Sequence, residues 1–375
     1  MKQLVFKKNQ KINKKMIFVS KENLSHNYRQ IDKFSGNSKV ISVIKGDGYG
    51  HGLLECCKIL KTNKCKDFYV ARLDDAINLR ENFKNINIYL LSGVISNNDL
   101  KEIKKHKIIP IINNVDQLSL LKTSQKLKYV LHIDTGMNRL GFQASELEKY
   151  SNLIDKKNII FLMSHLSSAD DLKKNESSKQ LNKLIDLNKN FNLPLSIANS
   201  SGIFLGKQYH LNYVRPGKSL YGINPFYKKR FNLRQVMSIY SPILQVQNVR
   251  KGNSIGYSQT YKLKRDLKVA TIDFGYSDGF LRSGSNKASV YIDKFQCRIL
   301  GRVSMDLITI DVSKVPNNKL YLGKPVEIIG SNQRYERIAY ETGTNEHEIL
   351  ISLGRNLRKV YILSLIHISE PTRPL

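Results

Sequence analysis

The 375-residue chain carries 61 Lys and Arg against 31 Asp and Glu, a formal net charge of +30, and 41% of its residues are hydrophobic. That length favours two domains over a single core, and four unevenly spaced cysteines (Cys56, Cys57, Cys65, Cys297) without a CxxC pair argue against a disulfide framework or a thiolate metal site and fit a reducing cytoplasm. The basic excess has no nucleic-acid-reading motif beside it and scatters among Asn and Ile, so it reads as a surface that attracts anionic cofactors and substrates, with neither nucleic acid nor membrane as partner.

Residues 1–15, MKQLVFKKNQKINKK, form a basic tail without the apolar stretch of a secretory signal, and no apolar run reaches membrane-spanning length. Eight β-branched runs then alternate with polar helical stretches: KVISVIK (39–45), DFYVAR (67–72), INIYLLS (86–92), KIIPIIN (107–113), KYVLHID (128–134), IIFLMSH (159–165), LPLSIAN (193–199) and HLNYVRPG (210–217). Eight consecutive units predict a TIM-like (β/α)8 barrel over 16–235, with a doubly wound sheet as the alternative. In such a barrel reactive groups sit at the C-terminal ends of strands, and here Lys45, Asp134, His165, Asn199 and Arg215 occupy those ends.

From residue 236 the pattern becomes SPILQVQNV, KVATIDFG, ASVYID, CRILGRVSM, LITIDV and PVEIIG, which predicts a mostly-β domain over 236–362. Asn345 with Glu348 three positions on predicts a helix opening into HEILISLGRNLRKVY. The run LSLIHISEPTRPL (363–375) continues neither helix nor strand and resembles a translated sequencing adapter, so it is expected to be non-native.

The chemistry begins at VIKGDGYGHG (43–52), where a lysine at a strand end meets a glycine-rich turn that lets backbone approach a ligand. His51 stands where a Rossmann fingerprint from Gly46 needs glycine, and Asn212 stands where a P-loop ending in Gly217-Lys218-Ser219 needs its first glycine. A partly desolvated lysine at a barrel mouth is instead a nucleophile for an aldehyde, which points to a Schiff base.

That stretch resembles the cofactor-lysine motif of the alanine racemases, pyridoxal 5′-phosphate enzymes of fold type III. The resemblance continues in order through HIDTGMNRLGF (132–142), SHLSSAD (164–170), ANSSG (198–202), VRPGKSLYG (214–222), IGYSQTY (255–261), DFGYSDG (273–279) and GRVSMD (301–306). It implies a cytoplasmic isomerase that interconverts L- and D-alanine for peptidoglycan synthesis. Lys45 is then the Schiff-base lysine and one proton-transfer base, and Tyr257, from the other protomer of a homodimer, is the base for the opposite face. Tyr49, Asn199, Ser200, Gly217 and Lys218 are implied to hold the cofactor, chiefly its phosphate, and Arg139 its phenolic oxygen. Arg215 is implied to face the pyridine nitrogen, and His165 with Arg215 to activate Tyr257. A guanidinium that neither accepts nor surrenders a proton keeps that nitrogen unprotonated, which favours racemisation over transamination. Arg139, Met305 and Tyr257 are implied to contact substrate, with Asp306, Tyr276 and His132 around them.

Three positions depart from the family pattern. Many relatives carry, at His132, a lysine whose carbamate braces the arginine corresponding to Arg139; imidazole cannot form it. Lys218 stands where an apolar residue is common, and no tyrosine falls near Arg355, where relatives place one that supports the phosphate. A racemase of other or broader specificity, for instance for serine, and a decarboxylase of the same barrel class are the alternatives. A non-enzymatic cofactor-binding barrel would lack the β domain.

Overall fold

A computed structural model describes residues 9–122, 127–173, 175–226 and 230–363. Of the expected non-native tail, 363–375, all but Leu363 lies outside the described residues, as do residues 1–8 of the basic N-terminal tail.

After β1 (Met16–Ser20) come β2 (Lys39–Val43), β3 (Asp67–Val70), β4 (Asn87–Leu90), β5 (Ile109–Ile112), β6 (Tyr129–His132), β7 (Ile159–Met163), β8 (Leu195–Ser196) and β9 (Tyr213–Val214). From β2 onward each strand pairs in parallel with the next, and β9 closes on β2 at Lys39 and Val40, so the ring is the expected eight-stranded barrel. Its strands are short and covered on both faces, which is why they read as continuous runs such as IPII and IIFLM instead of alternating ones. The helices between them show ordinary start signals: Asn97–Lys105 opens on Ser96, whose Oγ accepts from Asp99 N–H at 3.1 Å, and buries Leu100 and Ile103. Side chains fill the bore. Phe161 stacks on Tyr213 with ring centroids 4.4 Å apart and meets Tyr89 at 5.7 Å, and the Tyr89 hydroxyl donates to Asp67 Oδ1 at 3.1 Å.

The second unit holds β10 (Met237–Val249), β11 (Ser254–Ile255), β12 (Tyr261–Lys262), β13 (Leu267–Ile272), β14 (Ser289–Ile292), β15 (Phe295–Leu300), β16 (Ile308–Asp311), β17 (Pro325–Ile329) and β18 (Lys359–Ile362). Its main sheet runs β13-β16-β15-β14-β17-β10-β1-β18, and the 13-residue β10 is long enough to pair with β13 as well. The six expected strands correspond to β10 and β13–β17.

Two expectations change. The barrel was expected to start at residue 16, but β1 pairs antiparallel with β10 (Met16 with Tyr240) and parallel with β18 (Ile17 with Lys359), so compact packing places residues up to Leu24 with the second unit. Tyr49–Gly52 and the described residues from Arg234 onward complete that unit, while Ser25–Gly48 and Leu53–Leu233 form the barrel unit. The helix expected through HEILISLGRNLRKVY opens on Asn345, whose side chain accepts from Glu348 N–H at 3.0 Å, but it ends at Arg355, because Lys359–Ile362 finds a strand partner in β1. Among the described residues no helix is long and apolar enough to cross a membrane.

Candidate active site

Lys45 follows the C-terminal end of β2 and opens the short helix Lys45–Gly50. Burial, and then the nearby Arg139 guanidinium, hold its ammonium pKa below the usual lysine value, which favours the neutral amine. The helix is left-handed. Gly46, Asp47, Gly48, Tyr49 and Gly50 all have φ between +52° and +79°, and Gly48 N–H donates to Ile44 C=O at 2.9 Å. Such a turn costs about 1–2 kcal/mol at each non-glycine residue, so alternating glycines confine that cost to Asp47 and Tyr49. Asp47 offsets part of it by accepting from Leu53 N–H at 2.8 Å, which starts the next helix.

The following segment is held just as closely. A Cβ on Gly50 would lie 2.3 Å from Leu350 O, and one on Gly52 would lie 2.0 Å from the Tyr361 hydroxyl, which donates to His51 C=O at 2.9 Å. The Tyr49 ring lies 5.8 Å from the His347 ring. At the position where a supporting tyrosine was missed, the chain therefore brings Gly354 against Gly50, and the tyrosine that reaches this loop is Tyr361.

Arg215 follows β9 and is buried. It donates to Ser196 Oγ, to Ser164 C=O and, at 3.4 Å, to His165 Nδ1. Burial brings its pKa down to about 10, with Tyr69 opposing, so it stays a cation at neutral pH. Because a guanidinium only donates, His165 Nδ1 must be the accepting nitrogen, and the ring's proton is on Nε2. Burial first, then Arg215, Arg139, His132 and Lys45, keep His165 well below the usual histidine pKa, so it is neutral.

His132, the residue that departs from the lysine pattern, ends β6. The Asn113 amide nitrogen donates to the carbonyls of Leu91 (2.9 Å) and Ile111 (3.0 Å), which turns Asn113 Oδ1 toward His132 Nδ1 at 2.8 Å. Asn113 is held in turn by Gln117 Oε1, which accepts from its backbone N–H at 2.9 Å. His132 is thus the Nδ1–H tautomer. Burial and the Arg215 charge bring its pKa down to about 3, against the pull of Asp134.

Asp134 is spent structurally. Burial opposes its ionisation, but N–H groups of Gly136 (2.8 Å) and Met137 (2.9 Å) and the Gln143 amide (3.1 Å) hold its pKa below the usual carboxylate value. It folds the loop that returns to β6, where Phe142 N–H donates to His132 C=O at 2.8 Å, and so carries Arg139 back to the rim.

The Gly217–Ser219 turn forms a cradle around Ser200 Oγ. The N–H groups of Gly217 (2.9 Å) and Ser219 (3.2 Å) both point at Ser200 Oγ, and Ser219 Oγ is buried without a hydrogen-bond partner among the described residues. Converging amides, a serine hydroxyl and an orphaned hydroxyl suit a phosphate, with Lys218 half-exposed beside them. Asn199 is occupied otherwise: its Oδ1 accepts from Gly202 N–H at 3.0 Å and its Nδ2 donates to Leu166 C=O at 3.3 Å, so it caps the helix that presents Ser200. The cradle adjoins β2 two residues before Lys45, since Val43 N–H donates to Pro216 C=O at 2.9 Å.

The remaining expected residues belong to the second unit. Tyr257 starts a tight turn after Gly256 (φ +74°), and Arg302 donates to Ser258 Oγ in that turn at 2.9 Å. Tyr276 and Ser277 N–H donate to Ser304 C=O (3.1 Å) and Met305 C=O (2.9 Å), and Ser277 Oγ donates to Asp306 at 2.7 Å, which joins two motifs into one surface. Tyr257, Met305 and Tyr276 are 69%, 54% and 44% exposed, too much for packing within this chain to explain them. The structure also adds residues missed in the sequence: Tyr69 and Asn113 on the barrel interior, Gln117 behind Asn113, and Ser196 beneath Arg215.

Two family models match, "Alanine racemase, N-terminal domain" over residues 19–225 and "Alanine racemase, C-terminal domain" over 236–361. The alanine racemase of Rickettsia bellii is 39% identical over 339 residues, covering 88% of this chain and 82% of that protein. That of Rickettsia canadensis is 37% identical, covering 90% and 96%. Among solved structures, alanine racemase from Bartonella henselae with covalently bound pyridoxal phosphate has a TM-score of 0.87 at 30% identity, covering 94% of this chain and 100% of that one. The biosynthetic alanine racemase of Pseudomonas aeruginosa has a TM-score of 0.88 at 25% identity, with the same two coverages.

Proposed function

The chain belongs to the alanine racemase family, and we propose that Lys45 and Tyr257 are the two bases with which it acts. It is a pyridoxal 5′-phosphate enzyme that interconverts L- and D-alanine, the latter consumed in peptidoglycan synthesis. The observation that carries the assignment is a desolvated lysine at a barrel strand end, next to an amide-and-hydroxyl cradle that fits a phosphate.

When bound, the cofactor supplies the electron sink that acidifies the substrate Cα–H. Ser200, Ser219 and the Gly217–Ser219 amides would hold its phosphate, with Lys218 beside it. Lys45, favoured as the neutral amine, takes up or returns the Cα proton on one face. Tyr257 does so on the other, as phenolate when it takes the proton and as phenol when it returns it, because one lysine cannot serve both sides of a planar centre. Arg215 is a donor-only cation fixed by Ser196, Ser164 and His165, and facing a pyridine nitrogen it would leave that nitrogen without a proton. Neutral His165 offers Nε2–H as a hydrogen-bond donor, so it assists Tyr257 by orientation and leaves the positive field to Arg215. Arg139 and, from the partner protomer, the backbone of the Met305-Asp306 pair receive the substrate carboxylate, with the partner's Tyr276 near the entrance.

The working unit is a homodimer in which Tyr257 of one protomer serves Lys45 of its partner. Support comes from the exposed set Tyr257, Met305, Leu307 and Tyr276, apolar surface that a second copy would cover. The reading is tested by incubating the cofactor-loaded protein with L-alanine and separating the enantiomers on a chiral column. Accumulation of D-alanine supports it; unchanged L-alanine, with serine or another amino acid racemised instead, would replace it.

A further inference from the structure

Tyr69 lies outside every motif that led to the site, yet it stands on the same barrel mouth. In register it pairs with Val43 of β2 and Tyr89 of β4, and its carbonyl accepts from Ile44 N–H at 3.0 Å, one residue before Lys45. Its side chain, 7% exposed, crosses the bore: the hydroxyl reaches Met163 Sδ at 4.0 Å, and β3 and β7 lie four strands apart in a closed ring of eight, so they face each other across the diameter. Met163 pairs in register with His132. The phenol thus spans the bore from β3 to β7, beside the strand that ends in His132.

That hydroxyl is poorly satisfied. A thioether is a weak acceptor, and the bond to Met163 is the only one the Tyr69 hydroxyl makes among the described residues. Burial pushes the Tyr69 pKa up to about 12 while Arg215 and Arg139 pull it back, so the group is a neutral phenol with two guanidinium groups within electrostatic reach. Their situations differ. Arg215 already donates to Ser196, Ser164 and His165. Arg139 makes no hydrogen bond or ion pair among the described residues and is exposed at the rim, while the one carboxylate on its loop, Asp134, is taken up by Gly136, Met137 and Gln143. The Arg139 loop returns to β6 at His132, the register partner of the Met163 that the phenol reaches, so a guanidinium with five free donors is carried to the end of the bore where a phenol oxygen has unused lone pairs.

We propose that Tyr69 is a positioning residue for Arg139: its phenol oxygen accepts a guanidinium N–H and holds Arg139 over the bore when Arg139 engages the carboxylate of a bound substrate. This rests on the racemase reading for the substrate and on the barrel geometry for the contact.

The test is a double-mutant cycle on the pyridoxal phosphate-loaded enzyme with Tyr69→Phe, Arg139→Ala and the pair. Two readouts are taken: KM and kcat for L-alanine, and the binding constant of propionate, a carboxylate without the reacting amine, followed by the visible spectrum of the bound cofactor. Tyr69→Phe is expected to weaken propionate and raise KM by about tenfold, the loss of one charge-assisted hydrogen bond, with kcat changed by less than about threefold. In the Arg139→Ala background the same substitution should change neither value. The thermal midpoint should not fall, since the hydroxyl has only a thioether partner. An unchanged KM and propionate constant, a loss confined to kcat, or the same tenfold loss without Arg139 would each overturn the proposal. Propionate binding needs no turnover, so a Tyr69 effect on it in a protein that does not racemise alanine would sink the racemase reading and leave the contact standing.

Discussion

Replacing His132 with glutamine should flatten the response of the fold to acid. Folded His132 is buried and faces the Arg215 charge, so its pKa falls from the ordinary 6.5 to about 3. The fold therefore holds the neutral ring. Above the unfolded value the stability is complete; as pH falls below it, the unfolded chain binds a proton that the folded chain refuses, and stability is lost down to the folded value. Between about pH 7 and about pH 4.5 this amounts to roughly 2.5 kcal/mol from the one histidine. His165, whose pKa is depressed chiefly by burial and then Arg215, loses stability in the same direction in both proteins, so the larger part of its contribution drops out of their difference. Urea unfolding followed by circular dichroism at a series of pH values measures that difference. Glutamine can keep a hydrogen bond to Asn113 but cannot titrate, so the offset at neutral pH is immaterial and the slope decides. The variant should gain roughly 2.5 kcal/mol on wild type over the interval. Parallel curves would refute the claim that His132 is held as a neutral, Nδ1-protonated ring.

Two further outcomes follow from the same geometry. Gly50→Ala should destabilise the protein by several kcal/mol more than Gly36→Ala: both glycines have positive φ (+79° and +63°), but an added Cβ meets Leu350 O at 2.3 Å in the first case and nothing within 4 Å in the second. Equal losses on urea unfolding would mean that backbone strain alone matters there. Mixing Lys45→Ala with Tyr257→Phe, each nearly inactive alone, should restore activity through hybrid dimers holding one intact site; no recovery after demonstrated subunit exchange would place both bases in one protomer.

The barrel was legible because each strand is a β-branched run bounded by turn residues, and Lys45, His165 and Arg215 stood out by ending such runs. Asp134 ended one too, but strand-end position does not reveal that a carboxylate is consumed by its own loop. The strand β1 was illegible because MIFVS pairs with partners more than 200 residues away. The glycines of GDGYGHG announced a turn, whereas its left-handed sense through Asp47 and Tyr49, and the close approach of Gly50 to Gly354 and of Gly52 to Tyr361, are not written in the local spacing. Tyr69 was one of 19 tyrosines. Alternation along DFYV could have marked it, since Asp67 and Tyr69 share a face and the Asp67–Tyr89 bond shows that face to be the bore.

The central claim is that Lys45 and Tyr257 exchange protons with opposite faces of the same carbon. Incubating each alanine enantiomer with the cofactor-loaded enzyme in deuterium oxide, and measuring α-deuterium incorporation by mass spectrometry, tests it most directly. Tyr257→Phe should suppress exchange from one enantiomer while the other, served by Lys45, still exchanges. Equal suppression of both would contradict the two-base account.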